Sequence, residues 1–445
     1  MKLIILLALS VVFIIISTSK YKLHPFLALL FAATGFGLFS GMPLTKLIDS
    51  INEGFGETIG KIGIVIIAGT IIGSFLEHSG GAFAMAEKIL KYIGNKHVPL
   101  AMAVIGYFVS IPVFADSGFV ILSPMNKAIS KKAKISLAGS VMALALGLMV
   151  THCLIPPTPG PIAAAGILNA DLGLVILFAL PVSLFALFVS WLFSTKIASK
   201  IYIDPNPELS ETQVAAKIEQ APSAFKAFTP IVAPILLIVL KSIADFPTKP
   251  LGDGFSRDFF GFIGEPVIAL FIGVLLAFRL PKKFDATILS TSGWVGKALV
   301  NAAIIIMITG AGGIFGRVLR NSGIATTIGN SLSNANLGIW LPFIIAAAIK
   351  TAQGSSTVAI ITTASLIAPL VTSLGFDSDI ALALVVSAIG AGSMVASHAN
   401  DSFFWILTQM SQMDVKTGYK LQTLGTAIVG VSSIFIIWVI SLLVI

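Results

Sequence analysis

The sequence predicts an all-α membrane protein built from two inverted-topology repeats, with about ten crossings, two re-entrant hairpins and two broken helices. Three observations support this fold class. Of the 445 residues, 56% are hydrophobic and 11% are charged, and the mean hydropathy is +0.99. This charged share is about half that of a soluble domain. Apolar runs of about 20 residues recur along the chain, and the chain resembles itself at an offset near 243 residues.

Each crossing is predicted from one apolar run. Full crossings are expected near 2–18, 24–40, 60–77, 172–195, 228–245, 262–280, 298–317 and 420–445. The runs 135–170 and 379–410 are too long for one span and carry polar interruptions, so they predict broken helices. The regions near 98–130 and 338–372 each have two short apolar arms around a polar tip, at 115–118 and 353–356, which predicts re-entrant hairpins.

The distribution of cations predicts the orientation in the membrane. With the N-terminus outside, 19 Lys and Arg residues fall in inner segments and 8 in outer segments. This bias favours a multi-pass membrane protein with both termini outside. The same bias accounts for the net charge of +8 without a nucleic-acid partner. The run 2–18 is interpreted as a retained helix rather than a signal peptide, because the repeat requires it.

The internal repeat divides the chain into 1–195, a charged cytoplasmic linker at 196–226, and 227–445. Four segments recur in the same order. They are the Ser-Gly ends at 79–80 and 322–323, the prolines Pro99 and Pro342, the Ala/Leu runs after each hairpin, and the pairs Thr151-His152 and Ser397-His398. Five crossings per half is an odd number, so the second half must run upside down. Such repeats with broken helices are typical of secondary transporters, and the tips and breaks should converge on one site.

Polar residues at the tips and breaks are the candidate site, because such residues are costly inside a membrane. Asp116 at the first tip can carry a proton or cap a helix. Lys350 before the second tip can attract a carboxylate, pair with Asp116, or extend to the interface. Their neighbours can bind substrate hydroxyl groups or cap helices locally, namely Ser117, Gln353, Ser355, Ser356 and Thr357.

The two broken helices supply the remaining candidates. Four prolines in the segment 156–161 cannot continue a helix, and the segment offers Thr158 as a substrate ligand. His152 can relay protons or satisfy carbonyl groups that the break sets free. In the second break, Asn400 suits hydroxyl groups or Na⁺, while His398 and Asp401 are further candidates for proton coupling. Asp401 also suits the N-cap of the following helix.

Several function classes are excluded. The composition rules out a soluble enzyme, a disordered chain and a nucleic-acid-binding protein. A single cysteine, Cys153, excludes an internal disulfide and a thiolate metal cluster. No Walker A, GxSxG, HExxH or CxxC arrangement is present. We therefore expect no enzyme activity, no metal site and no cofactor other than a coupling ion, H⁺ or alternatively Na⁺.

Five segments together resemble the gluconate permease (GntP) family of bacterial symporters. They are Phe114-Ala115-Asp116-Ser117-Gly118-Phe119, the proline segment from His152 to Pro161, Gly312-Gly313-Ile314-Phe315-Gly316-Arg317, the segment Ala352 to Ala359, and Ser397-His398-Ala399-Asn400-Asp401-Ser402-Phe403-Phe404-Trp405. The resemblance covers nearly the whole chain. It implies proton-coupled uptake of gluconate or a related small hydroxy-carboxylate across a bacterial cytoplasmic (inner) membrane. It also implies a homodimer in which a transport domain moves like an elevator against a scaffold.

Two departures from the family pattern leave the substrate open. Gluconate-specific members tend to carry Glu where Asp116 stands, and the second hairpin usually carries Arg where Lys350 stands. Lys is a point charge rather than a bidentate fork. Relatives carry other hydroxy acids and D-serine. The alternatives are therefore a Na⁺-coupled transporter of carboxylates or D-serine-like amino acids on the same fold, and a passive channel, which the alternating-access symmetry disfavours.

Overall fold

In a computed structural model, the chain is all-helical over the residues that the structure describes: 2–94, 97–206, 211–245, 254–324 and 337–444. This confirms that the protein is all-α, while the inverted repeats stay a prediction. The helices up to residue 196 are α1 (Lys2–Ser19), α2 (Pro25–Ser40), α3 (Leu44–His78), α4 (Gly81–Ile93), α5 (Val98–Val109), α6 (Ala115–Lys132), α7 (Leu137–Leu154), α8 (Pro159–Leu168) and α9 (Leu172–Lys196).

The remaining chain continues in the same way. Its helices are α10 (Glu211–Gln220), α11 (Ala224–Ala244), α12 (Phe255–Ile263), α13 (Pro266–Ala277), α14 (Trp294–Asn321), α15 (Trp340–Gln353), α16 (Ser356–Ile367), α17 (Asp379–Gly392), α18 (Ser402–Met410), α19 (Val415–Gly418) and α20 (Leu424–Val444). A π-helical turn, Tyr419–Thr423, joins the last two.

Six helical stretches of the described chain are long and apolar enough to cross a membrane. They contain α3, α7 with α8, α9, α11, α14, and α19 with α20. Helices α12 and α13 make a seventh if a pair bent by 64° counts as one span. Helices α1 and α2 are apolar but shorter than that test requires. Several crossings are therefore evident, while the count of ten stays a prediction.

The two regions predicted as hairpins each contain two helices separated by a short break, but the first break lies earlier than the predicted tip; re-entry into the membrane stays a prediction. Helix α5 ends at Val109 and α6 begins at Ala115, so the break is 110–114 and Asp116 lies in the first turn of α6. The predicted tip at 115–118 was wrong because Pro112 has no N–H and also disfavours helical geometry at the residue before it. The second tip was predicted correctly: Gly354, with φ of +95°, ends α15, and Ser355 caps α16.

The two broken helices also occur at the predicted places. Helix α7 ends before the proline pair 156–157, and α8 begins at Pro159. The second break separates α17 from α18 and covers 393–401. Every residue of α7 is buried, so the first broken helix lies at the centre of the protein.

Helices α4 and α10 lie outside the predicted crossings and hairpins. Helix α4 buries every residue from Gly81 to Ala86, and also Ile89. Helix α10 lies within the predicted linker, of which 207–210 fall outside the described residues. Both are amphipathic and too short to register as crossings, which explains why a search for apolar runs missed them.

Glycines set the closest helix contacts. Helices α3 and α14 cross where a Cβ on Gly54 would lie 2.7 Å from the carbonyl oxygen of Gly313. In α5, a Cβ on Gly106 would lie 2.5 Å from the carbonyl oxygen of Leu144 in α7. Small residues permit this approach, which is the usual basis of helix packing in membranes. The outer helices in turn expose large apolar side chains such as Leu184 and Phe435, as a lipid-facing surface requires.

A candidate anion site between the helix breaks

A cavity of about 520 Å³ lies where the hairpins and the broken helices meet. Its size is within the range of small-molecule sites. Its lining comes from the start of α6, the end of α7, one face of α14, the second hairpin tip and the start of α18. These residues are Phe114, Ala115, Asp116, Ser117, Met149, His152, Asn301, Ile304, Ile305, Gln353, Gly354, Ser355, Ser356, Thr357, Asn400, Asp401, Ser402 and Phe403.

Three helix N-termini open onto this cavity. Helices α6, α16 and α18 begin at Ala115, Ser356 and Ser402, and all three residues line it. The first N–H groups of a helix have no partner within that helix, and the aligned peptide dipoles place a partial positive charge there. Side-chain caps use only part of this donor capacity, since Ser355 accepts from one backbone N–H of α16 at 3.3 Å. The cavity therefore favours an anion.

A buried ion pair supports the cavity wall from behind. The Lys350 ammonium donates to Asp401 Oδ2 at 2.6 Å and also to the carbonyl oxygen of Gly354. The side chains of Lys350 and Asp401 are 1% and 7% exposed. Asp401 Oδ2 accepts a second bond from Ser397 at 2.5 Å, and Oδ1 caps α18 by accepting from the N–H of Phe403 at 3.1 Å. Both charges are thus neutralised, and the pair joins the second hairpin to the second break.

Further hydrogen bonds fix the second break against α15. The His398 Nε2 and the Asn400 Nδ2 both donate to the carbonyl oxygen of Thr351, each at 2.8 Å. Trp405 closes the break on the other side by donating to the carbonyl oxygen of Ala399 at 2.8 Å. Side chains thus satisfy main-chain carbonyl groups of the break and of the adjoining end of α15, as non-helical chain at membrane depth requires.

The remaining polar contacts connect the first half of the chain to the second. The Ser402 hydroxyl donates to Asp116 Oδ2 at 3.2 Å. His152 Nε2 lies 3.5 Å from the Thr357 hydroxyl. Asp116 and Asp401 are the two carboxylates of the cavity lining. Asp401 is paired with Lys350, whereas the described residues include no cation within 4 Å of the Asp116 carboxylate. Asp116 is therefore the carboxylate whose charge a bound anion would meet.

Nine of the twelve predicted site residues line the cavity: Asp116, Ser117, His152, Gln353, Ser355, Ser356, Thr357, Asn400 and Asp401. The other three do not. Thr158 is buried and donates to the carbonyl oxygen of Ile155 at 2.6 Å. Lys350 lies behind the wall in its pair with Asp401, rather than beside Asp116. His398 bonds Thr351 and stacks on Tyr419, with ring centroids 6.3 Å apart.

Sequence reasoning missed Asn301 and Ser402, and also the apolar lining from Phe114, Met149 and Phe403. The signal for Asn301 was present, since it is a lone amide in the predicted crossing 298–317. Ser402 directly follows a predicted residue. The apolar members carried no signal, because similar side chains fill every helix of this protein. No group of three or more His, Cys, Asp or Glu side chains able to hold a metal occurs in the described part of the chain.

A helical membrane protein whose broken helices enclose a small polar cavity is a transporter of small solutes. The chain belongs to the GntP permease family: the model described as GntP family permease matches residues 1–443. It is therefore a permease and not an enzyme, as the missing catalytic motifs predicted.

Curated relatives agree with this family, and a solved structure has a similar fold. The gluconate permease of Pseudomonas aeruginosa is 34% identical, over 97% of this chain and 96% of its own. The inner membrane permease YgbN of Escherichia coli is also 34% identical, over 96% of each chain. The fold is similar to the YdaH transporter of Alcanivorax borkumensis, with a TM-score of 0.67 at 13% identity, covering 94% of this chain and 98% of that one.

Proposed function

We propose that this permease imports gluconate or a related small hydroxy-carboxylate across the bacterial inner membrane together with protons. The observation that carries the proposal is the convergence of three helix N-termini and one unpaired carboxylate, Asp116, on a single cavity. The helix N-termini can bind the substrate carboxylate although the cavity lining includes no Lys or Arg. The names of the relatives support this substrate class.

The hydroxyl groups of the substrate have partners in the same cavity. Ser117, Ser356 and Thr357 present hydroxyl groups beside the helix N-termini, and Asn400 and Gln353 add amide groups. Polyhydroxy acids need several donors and acceptors at once, and a site that hydrogen-bonds hydroxyl groups rejects analogues that lack them. This lining therefore suits a sugar acid better than a simple fatty acid.

Asp116 supplies the coupling to protons in this proposal. An ionised Asp116 would repel the substrate carboxylate, whereas a protonated Asp116 would leave the helix N-termini free to bind it. Binding of proton and substrate is therefore mutually favourable, as reciprocal linkage requires. The membrane potential contributes about 2.3 kcal/mol per charge per 100 mV. His152 and Asp401 also line the cavity and are further candidates for carrying this proton.

For the transport cycle we propose two inverted repeats, 1–195 and 227–445 around the linker 196–226, that form about ten crossings with both termini outside. The helix pairs α5–α6 and α15–α16, and the broken helices α7–α8 and α17–α18, support this because they recur in the same order. The pairs α5–α7 and α15–α17 also share a close contact at a glycine, Gly147 in α7 and Gly392 in α17. The proposal also includes a homodimer in which a transport domain moves like an elevator against a scaffold.

The test uses purified protein in liposomes with an imposed pH gradient and labelled gluconate. We expect accumulation that an uncoupler abolishes and that replacement of Na⁺ by choline leaves unchanged. Loss of uptake in choline would instead support the Na⁺-coupled alternative. Accumulation that the uncoupler does not affect would contradict proton coupling.

A single substitution tests the proton carrier. Asp116→Asn mimics a permanently protonated carboxylate, so it should keep gluconate binding and gluconate exchange but lose gradient-driven accumulation. Asp49→Asn is the matched control, because Asp49 is an exposed carboxylate of α3 outside the cavity lining. Full accumulation by Asp116→Asn would show that another group carries the proton.

A further inference from the structure

A second, smaller chamber of about 270 Å³ adjoins the main cavity. Phe114, Ser117 and Asn301 line both, so the two spaces meet at these three side chains. The rest of the smaller chamber lies between α3 and α14 and includes Glu77 and Lys297. Neither of these two charged residues belongs to the lining of the main cavity.

Lys297 is the cation of this chamber. It lies four residues before Asn301 on α14, so the two side chains occupy one face, about one turn apart. Its side chain is exposed, and the described residues include no ion-pair partner for it within 4 Å. Lys350, by contrast, is fully neutralised by Asp401. Lys297 is thus a cation that can attract an anion approaching the main cavity.

The chamber has a fixed wall. Ser74 on α3 donates to the carbonyl oxygen of Trp294 on α14 at 2.9 Å. His78 donates through Nδ1 to the carbonyl oxygen of Ser74 at 2.8 Å and stacks on the Trp294 ring, with centroids 5.4 Å apart. These contacts lock α3 against the start of α14. Glu77 in the same chamber weakens the field of Lys297, which suits a site that must release its ligand.

We propose that this chamber is an anion-capture vestibule, through which the carboxylate substrate passes between solvent and the main cavity. Lys297 attracts the carboxylate. From there the carboxylate moves along Asn301, past Phe114 and Ser117, to the helix N-termini. The identity of the anion rests on the proposed function, but its negative charge does not. A positive charge at the mouth of a cleft raises the rate of encounter with anions, and salt screens this effect.

The first experiment measures the initial rate of gluconate entry into inside-out vesicles against concentration and salt. Vesicles of this orientation are used because the proposed topology places the 281–297 segment, which contacts the cytoplasmic linker through Lys282 and Glu219, on the cytoplasmic side. We expect Lys297→Gln to lower kcat/KM roughly tenfold at low ionic strength, mainly through KM, and to approach the parent at high salt. Lys297→Arg should retain the parent values. Lys283→Gln is the control, because Lys283 is an exposed lysine of the loop that leads into the same end of α14 but lines neither chamber. An equal loss at all salt concentrations, or no loss, would overturn the proposal.

The second experiment does not depend on gluconate. A thiol introduced by Asn301→Cys is treated with an anionic and a cationic methanethiosulfonate reagent of similar size. The native Cys153 is buried and serves as the unreactive background. With Lys297 present, the anionic reagent should react several-fold faster relative to the cationic one than it does with Lys297→Gln. Equal ratios in the two backgrounds would overturn the vestibule even if the parent transports gluconate. A changed ratio without gluconate transport would overturn only the substrate assignment.

Discussion

Replacing one member of the buried Lys350–Asp401 pair should destabilise the protein far more than replacing both. The two charged atoms are 2.6 Å apart, which gives a Coulomb attraction of about 6 kcal/mol at an effective dielectric constant of about 20. The cost of removing both charges from water offsets much of this attraction. An unpaired charge at the same place pays that cost without compensation. Lys350→Met alone, or Asp401→Asn alone, should therefore cost about 3–5 kcal/mol.

The assay is a double-mutant cycle on the free energy of unfolding, measured by denaturant titration in detergent micelles. We expect the variant with both substitutions to recover most of the lost stability, with a coupling energy of at least about 2 kcal/mol. Asn at position 401 can still accept from the N–H of Phe403, so the cap of α18 is retained in part. Additive single effects would refute the claim that the two charges balance each other.

The same double variant decides whether Lys350 contacts substrate. If its role is to neutralise Asp401, the double variant should regain gluconate binding together with stability. If Lys350 binds the substrate carboxylate directly, stability should return and binding should not. Isothermal titration with gluconate separates the two outcomes, with Lys283→Gln as a variant that removes a positive charge elsewhere.

Three further predictions concern a backbone position, a cavity contact and a surface pair. Gly354 and Gly375 both have positive φ, +95° and +79°, but only at Gly354 would a Cβ overlap neighbouring main chain. Gly375→Ala should therefore cost about 1–2 kcal/mol of unfolding free energy. Gly354→Ala should cost clearly more and abolish transport. Equal costs would contradict the overlap with main chain at Gly354. Ser402→Ala removes a hydrogen bond to the unpaired carboxylate of Asp116 and should change the gluconate KM about fivefold. An unchanged KM would show that Ser402 does not contribute to substrate binding. Glu53→Gln should lower the unfolding free energy by less than about 1 kcal/mol, because the paired side chains of Glu53 and Arg317 are 51% and 26% exposed. A cost as large as that of Lys350→Met would contradict screening of this pair by solvent.

Much of the candidate site could be predicted from residue chemistry alone. Prolines and glycines marked the breaks, and polar residues beside them were too costly to stand there without a role. This reasoning selected Asp116, Ser356 and Asn400, which line one cavity. This reasoning could not show that Lys350 lies outside the cavity lining. A lysine in an apolar arm gives the same sequence pattern whether it binds substrate or pairs with a carboxylate 51 residues later.

The sequence by itself determined that the chain is helical, lies in a membrane and breaks its helices at four places. Apolar runs of a given length, proline chemistry and the cost of polar groups in lipid are local properties, so they can be read without coordinates. Only the tertiary structure decided which groups neutralise each other and which stay available. It placed Asp401 against Lys350, left Asp116 unpaired, and brought Asn301 of α14 to the same space as Ser117 of α6. These outcomes depend on how distant helices pack, which no local pattern specifies.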